Sequence, residues 1–313
     1  MAQANSPSND LDRRNERPDK MTYRKLGRTN FMCSRLVFGC GAALAGGRAD
    51  RLLEVAFENG VNFYDIGYEV RYKGSEKNFA PFFKKHRGEI WVSSKAYART
   101  YEYNQQRNAL TFDGAKQAAR HWGEQLDTSL SNLGTDYVDA YYLMGASNPD
   151  VIRSEELYNT FLKAKEAGKV GHYGFSSHDQ AAICLDAALE TGWFDIAMLG
   201  ITPAGWYDYF GGSLMEGTPT LSALRPALDR ARDAGIGLIG MKVARYLASK
   251  EVDSAAFDGH YSAQLLQAPL TPFQRSYAYV LENGLDVVNS DMQNFAHFEE
   301  NLNAARTSAN YFA

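Results

Sequence analysis

Residues 61–76 read V-N-F-Y-D-I-G-Y-E-V-R-Y-K-G-S-E. Val61 to Tyr64 is a short apolar run of the kind that forms a buried strand. It ends on Asp65, and the loop beyond carries Tyr68, Glu69, Arg71, Tyr72 and Lys73. A plain connection does not need so many polar and ionisable groups. Ile90 to Ser94 repeats the design and ends on Lys95. Successive strands with reactive side chains at their carboxyl ends are the pattern of a (β/α)8 barrel, whose βα loops form the active face.

Six further strand–helix units flank these two. Upstream, Ser34 to Gly41 is a strand running into glycines, followed by a helix over 49–59 that Gly60 stops. The second unit continues into a helix over 76–85. The third has a long aromatic loop and a helix over 112–133, ended by Gly134. The fourth is Val138 to Met144 and a helix over 154–167, with Ser154 as its cap and Gly168 as its stop. The fifth is Val170 to Ser176 and a helix over 179–190. The sixth is Asp195 to Ile201 and a helix over 221–234. The seventh is Ile236 to Lys242 and a helix over 272–282. The eighth is Leu285 to Asn289 and a helix over 294–305. Such alternation predicts parallel strands joined by right-handed crossovers. Tyr23 to Cys33, with turn-forming Gly27 and Asn30, predicts a small hairpin in front of the barrel. The division expected is a disordered polar tail over 1–20 and one barrel domain over 21–313.

Composition narrows the function classes. Hydrophobic residues make up 45% of the 313, enough for a large core, and the net charge of −4 argues against nucleic acid as a partner. Cys33, Cys40 and Cys184 are scattered, and no Cys/His spacing suggests a metal site. No apolar run is long enough to span a membrane, and residues 1–20 lack a signal-peptide core, so a cytoplasmic location is expected. The loops after the third, sixth and seventh strands (97–111, 203–220 and 245–271) all fall on the carboxyl face. Their Tyr, Phe and Trp content suits a pocket for a largely apolar or sugar-like small molecule. His172 lies inside the fifth strand as a packed histidine, and Asp136 and Asp139 flank a strand start as structural groups. His178, just past a strand end, is either a surface cap or a ligand contact.

The order of these pieces resembles the aldo-keto reductase family over nearly the whole chain after residue 20. The matching stretches are Y-R-K-L-G-R-T-N, G-V-N-F-Y-D followed by G-S-E, W-V-S-S-K, L-D-T-S-L-S-N-L-G-T-D-Y-V-D, A-G-K-V-G-H-Y-G-F-S-S-H, A-G-I-G-L-I-G-M-K and F-E-E-N-L. The resemblance implies a TIM barrel with a bound nicotinamide cofactor, NAD or NADP, and a carbonyl substrate (aldehyde, ketone or sugar). Family chemistry pairs an aspartate with a lysine, uses a tyrosine as proton donor and orients the carbonyl with a histidine. Asp65 matches the aspartate and Lys95 the lysine. Aligned without gaps, the tyrosine position is Val70 and the histidine position is Met144, neither of which carries a transferable proton. The flanking Tyr68 or Tyr72 is then the candidate donor.

The cofactor side departs too. Ser176 and Ser177 stand where the family holds a carboxamide, and Met198 and Ile201 where it often has a glutamine and a ring-stacking tyrosine. Lys242 matches a subfamily lysine that approaches the pyrophosphate. After the eighth strand N-S-D-M-Q-N-F has no Arg or Lys, and Asp291 would repel a 2′-phosphate, so NADP loses its usual support. The first expectation is an oxidoreductase with a non-standard proton donor. A non-redox lyase, dehydratase or isomerase built on Lys95 and Asp65 is the second, although the carboxylate works against a Schiff base by favouring the charged amine. A non-catalytic cofactor sensor or partner subunit is the third.

Overall fold

The computed structural model describes residues 21–98 and 110–312. The expected tail over 1–20 and most of the loop after the third barrel strand lie outside them. Twelve strands follow in chain order: β1 (Tyr23–Lys25), β2 (Met32–Ser34), β3 (Leu36–Gly39), β4 (Phe63–Asp65), β5 (Trp91–Ala96), β6 (Val138–Leu143), β7 (Val170–Ser177), β8 (Ile196–Thr202), β9 (Gly205–Asp208), β10 (Ser213–Leu214), β11 (Gly237–Met241) and β12 (Val287–Asp291). Eight of them pair in parallel in the order β3-β4-β5-β6-β7-β8-β11-β12, and β12 returns to β3 to close the ring. The fold is a (β/α)8 barrel.

The crossover helices are those the periodicity predicts, within one or two residues. They are Asp50–Glu58, Ser75–His86, Phe112–Leu133, Glu155–Glu166, Ala181–Thr191, Leu221–Asp233, Pro272–Glu282 and Phe295–Thr307. Ser154 accepts from the Leu157 amide as the expected cap, and Gly134 and Gly192 end their helices in the left-handed conformation. Short pieces inside the loops are additions. Glu69–Tyr72 coils into one helical turn. The loop expected to be irregular after the sixth barrel strand forms the antiparallel hairpin β9–β10, with Asp208 accepting from the Phe210 and Gly211 amides at its tip.

Side-chain parity sorts the strands into two cores. Val37, Phe63, Trp91, Ala140, Tyr142, Ile196, Met198, Ile239 and Val287 fill the barrel interior, and a larger cluster lies between strands and helices. The β1–β2 hairpin caps the amino-terminal mouth. Leu26 and Phe31 are fully buried there, with Phe31 stacked on Trp91 at 5.0 Å. At this end the polar side chains serve the sheet. Asn62, Asp139, Asp195 and Asp286 each accept from a backbone amide of the neighbouring strand or its lead-in, those of Ser34, Val92, Tyr173 and Leu238. Asp139 is therefore structural, as expected. His172 also belongs to this end, paired with Asp195 at 3.1 Å.

Gly27 makes the hairpin fit. Its φ is +52°, and a Cβ there would stand 2.3 Å from the Gly237 amide nitrogen. Backbone cannot yield as a side-chain tip can. Gly27→Ala is therefore expected to destabilise the protein by about 2–4 kcal/mol, read as a lower urea midpoint.

Candidate active site

The carboxyl ends of the parallel strands converge on one ion pair. In β5, Trp91, Ser93 and Lys95 share the inward parity, and β4 sets Asp65 opposite Ser93 in the parallel register. Lys95 Nζ reaches Asp65 Oδ2 at 2.6 Å, and both residues are about 95% buried. Ser93 Oγ donates to the other carboxylate oxygen at 2.7 Å. From two strands away, Asn289 on β12 donates through Nδ2 to Asp65 Oδ2 at 2.7 Å. Three donors therefore hold this carboxylate, which offsets the cost of burying its charge. Asn289 and Ser93 were not singled out in the sequence. A lone polar residue in V-V-N-S, and a serine two places before Lys95, were the signals available.

The two candidate donors part company. Tyr68 is 2% exposed and belongs to the cluster between strands and helices, edge-on to Tyr97 at 5.8 Å. Tyr72, on the turn Glu69–Tyr72, has its ring seated on two glycines. A Cβ on Gly67 would come within 1.7 Å of this ring and one on Gly41 within 2.9 Å. Burial, and next the Asp65 charge, push its phenol up to about 12, while Arg71 pulls the other way. Val70 is 64% exposed, so the family's tyrosine position, aligned without gaps, faces solvent here. Met144 is nearly buried, and its amide donates to the Ala96 carbonyl. In the G-S-E stretch, Ser75 donates to the Gly67 carbonyl, while Glu76 accepts from Ser94 and Asn132. Those two residues fix the loop to the helix layer.

On the opposite rim the expected cofactor residues divide. Ser177 has the outward parity of β7. It is fully buried and donates to the Ala146 carbonyl at 2.5 Å, so the carboxamide contact expected of it is corrected to a structural bond. Ser176 has the inward parity. Its Oγ accepts from the Gly145 amide at 2.9 Å, which leaves the hydroxyl proton for another acceptor. Lys242 follows Met241 with φ at +63°, a left-handed residue that breaks strand alternation. Its ammonium stands 5.4 Å from the centre of the Tyr209 ring and forms no ion pair among the described residues. Burial lowers its pKa, opposed by Asp291 on the same rim; Arg245, Arg71 and Lys95 lower it further.

Tyr209, at the tip of the β9–β10 hairpin, was missed in the sequence because it lies outside any family motif. It stacks on His178 with ring centres 4.7 Å apart and planes 21° apart. Its amide donates to Asp179, and its hydroxyl accepts from Arg71 Nη2 at 3.0 Å. The hairpin thus brings an aromatic ring to the same rim as Lys242 and His178. His178 is enclosed beneath it, and its Nδ1 has no hydrogen-bond partner among the described residues. Burial, helped by Lys242, lowers its pKa to about 3.

That depression fixes a sign. Unfolded, a histidine titrates near pH 6.5; folded, His178 stays neutral down to about 3. The stability it carries is therefore complete above pH 6.5 and falls as pH drops towards 3. This one group contributes a slope of up to about 1.4 kcal/mol per pH unit. Urea unfolding between pH 7 and pH 4.5 measures it, and His178→Gln is expected to flatten the slope.

An open depression of about 490 Å3 lies at the other end, beside the β1–β2 hairpin. Its Arg28 and Arg232 are already tied to Asp195 and Asp286, so it presents a structural ion-pair network. No group of three or more His, Cys, Asp or Glu side chains that could hold a metal occurs among the described residues. None of their helices is long and apolar enough to cross a membrane.

Comparison with known proteins agrees with the geometry. Residues 39–202 match the family model described as "Aldo/keto reductase family". An uncharacterized oxidoreductase of Bacillus subtilis (strain 168), YqkF, is 28% identical over 158 residues, 50% of this chain and 49% of that protein. The alignment thus spans about half the length of this curated relative. Among solved structures, the aldo-keto reductase AKR11C1 from Bacillus halodurans in its holo form superposes with a TM-score of 0.65 at 19% identity, covering 91% of this chain and 90% of that one. A Pseudomonas aeruginosa protein assigned to the aldo-keto reductases superposes at 0.64 with 20% identity, covering 93% and 98%. At such identity the likeness is one of fold. The family match extends over more than half of the chain, from the end of β3 through β8, and on that ground the chain belongs to the aldo-keto reductase family.

Proposed function

We propose that the protein is a carbonyl reductase that uses a nicotinamide dinucleotide, with NADH preferred over NADPH, and Tyr72 as its proton donor. The single observation that carries this reading is the Lys95–Asp65 pair at 2.6 Å within the carboxyl-end mouth. The residues of this rim fit a dinucleotide. Lys242 is a largely buried ammonium that forms no ion pair among the described residues, suited to a pyrophosphate, and it lies beside the Tyr209 ring. Ser176 keeps a hydroxyl proton for a carboxamide oxygen. The end of β12 presents Asp291 and no cation, which disfavours a 2′-phosphate. When bound, the cofactor supplies hydride to a carbonyl carbon.

The remaining roles fall to the chain. Asp65 anchors Lys95, whose other two N–H bonds are left for an oxygen in the mouth. The Tyr72 hydroxyl gives its proton to the carbonyl oxygen as negative charge builds there. Gly41 and Gly67 hold the phenol ring flat in its seat. A phenol near 12 has little driving force for proton transfer at neutral pH, so turnover is expected to be slow. The test is loss of dihydronicotinamide absorbance on mixing NADH with a panel of aldehydes, ketones and sugars. Steady oxidation of NADH that depends on the carbonyl supports the reading, and its absence across the panel with either dinucleotide defeats it.

A further inference from the structure

Several arginines of this fold are matched to acids, and one at the mouth is matched to a phenol instead. Arg28, Arg35, Arg87, Arg153, Arg225 and Arg275 each meet a carboxylate within 4.0 Å. Arg71 meets none among the described residues and donates instead to the neutral Tyr209 hydroxyl. The carboxylates nearby are already occupied. Asp65 is held by Lys95, Ser93 and Asn289; Asp179 accepts from the Tyr209 amide; Asp208 accepts from two hairpin amides; Glu69 accepts from the Gly74 amide. The Tyr209 hydroxyl, 3.0 Å from Arg71 Nη2, stands where an acid would otherwise be. The two neighbours in sequence are apolar and open. Val70 is 64% exposed and Phe210 is 74% exposed.

We propose that Arg71 and the Tyr209 hydroxyl form a seat for a carboxylate, and that the carbonyl substrate is an acid with an apolar body, such as an aromatic or aliphatic oxo acid. This inference rests on the reductase reading for the word substrate, while the seat stands on its own. The planar guanidinium can grip both oxygens of a carboxylate, and a phenol supplies one more donor. Val70 and Phe210 would lie against the apolar body. With no anion present, Arg71 and Lys242 repel one another, which contributes to the lowered pKa of Lys242. Lys242 is assigned to the cofactor, and Arg71 with its Tyr209 hydroxyl neighbour to the substrate carboxylate.

The experiment compares 4-carboxybenzaldehyde with benzaldehyde on the full chain and on Arg71→Gln. The wild-type protein is expected to favour the acid in kcat/KM, and the ratio between the two aldehydes is expected to fall about tenfold or more in the variant, the scale of a charge-assisted hydrogen bond. A ratio that does not change, with both substrates weakened alike, means that Arg71 only clasps the hairpin, and it overturns the proposal. Calorimetric titration with benzoate alone separates the seat from the chemistry. If neither aldehyde turns over, the reductase reading fails, yet benzoate binding weakened about tenfold in Arg71→Gln still supports the seat. Benzoate bound equally by both proteins, or by neither, removes it. Arg71→Lys keeps the charge without the fork and is expected to fall between the two.

Discussion

Lys95→Met is expected to lower turnover by about 10²–10⁴ and to destabilise the fold by about 3–5 kcal/mol. The two effects have one origin. The Asp65 carboxylate is 4% exposed, and without Lys95 it keeps only Ser93 and Asn289 as donors. Two neutral donors do not replace an ammonium at 2.6 Å. Taking away both charges removes the penalty without restoring the chemistry. The double change Asp65→Leu with Lys95→Met should therefore recover much of the lost stability and none of the activity. Urea unfolding and steady-state rates on the wild-type protein and the two variants separate these outcomes. Equal losses of stability in the single and double variants would show that the charge pair is not what holds this mouth together.

Tyr72→Phe is expected to cost about 10²–10³ in kcat, and Tyr68→Phe less than about tenfold. Tyr68 is almost fully buried within the larger cluster, while Tyr72 packs at the edge of that cluster, rests on Gly41 and Gly67 and feels the Asp65 charge. Gly67→Ala gives an independent check, since a Cβ there would stand 1.7 Å from the Tyr72 ring and must unseat it. Its kcat should fall although no hydroxyl has been removed. The alkaline limb of the rate profile also carries a sign. The donor must be protonated, and its pKa lies near 12, so ionisation of this phenol should not reduce the rate until the pH approaches that value. A decline centred between pH 8 and 10 that disappears in Tyr72→Phe would mean a phenol of much lower pKa, set by a nearby cation instead of by burial and Asp65.

Residue patterns carried the barrel well. Strand-length apolar runs alternating with amphipathic helices that end on glycine leave few other architectures. Lys95 and Asp65 were legible because each closes a strand, and parity then sends both inward. The same parity, applied to β7, would have sent Ser176 inward and Ser177 outward before any coordinates were seen. Other parts of the mouth depend on geometry that local pattern does not encode. The choice of Tyr72 over Tyr68 follows from one helical turn over 69–72 and from two glycines 26 residues apart that leave room for a ring. Tyr209 reaches His178 and Arg71 only because residues after β8 fold into a hairpin. Lys242 leaves the strand alternation through a left-handed backbone, a conformation with no signature in G-M-K.

The most direct test of a dinucleotide beside the Lys95–Asp65 pair is calorimetric titration of the full chain with NADH and with NADPH. Saturable binding of one NADH per chain, tighter than NADPH and weakened in Lys242→Met, is the expected result. No heat of binding from either dinucleotide at millimolar concentration would contradict it.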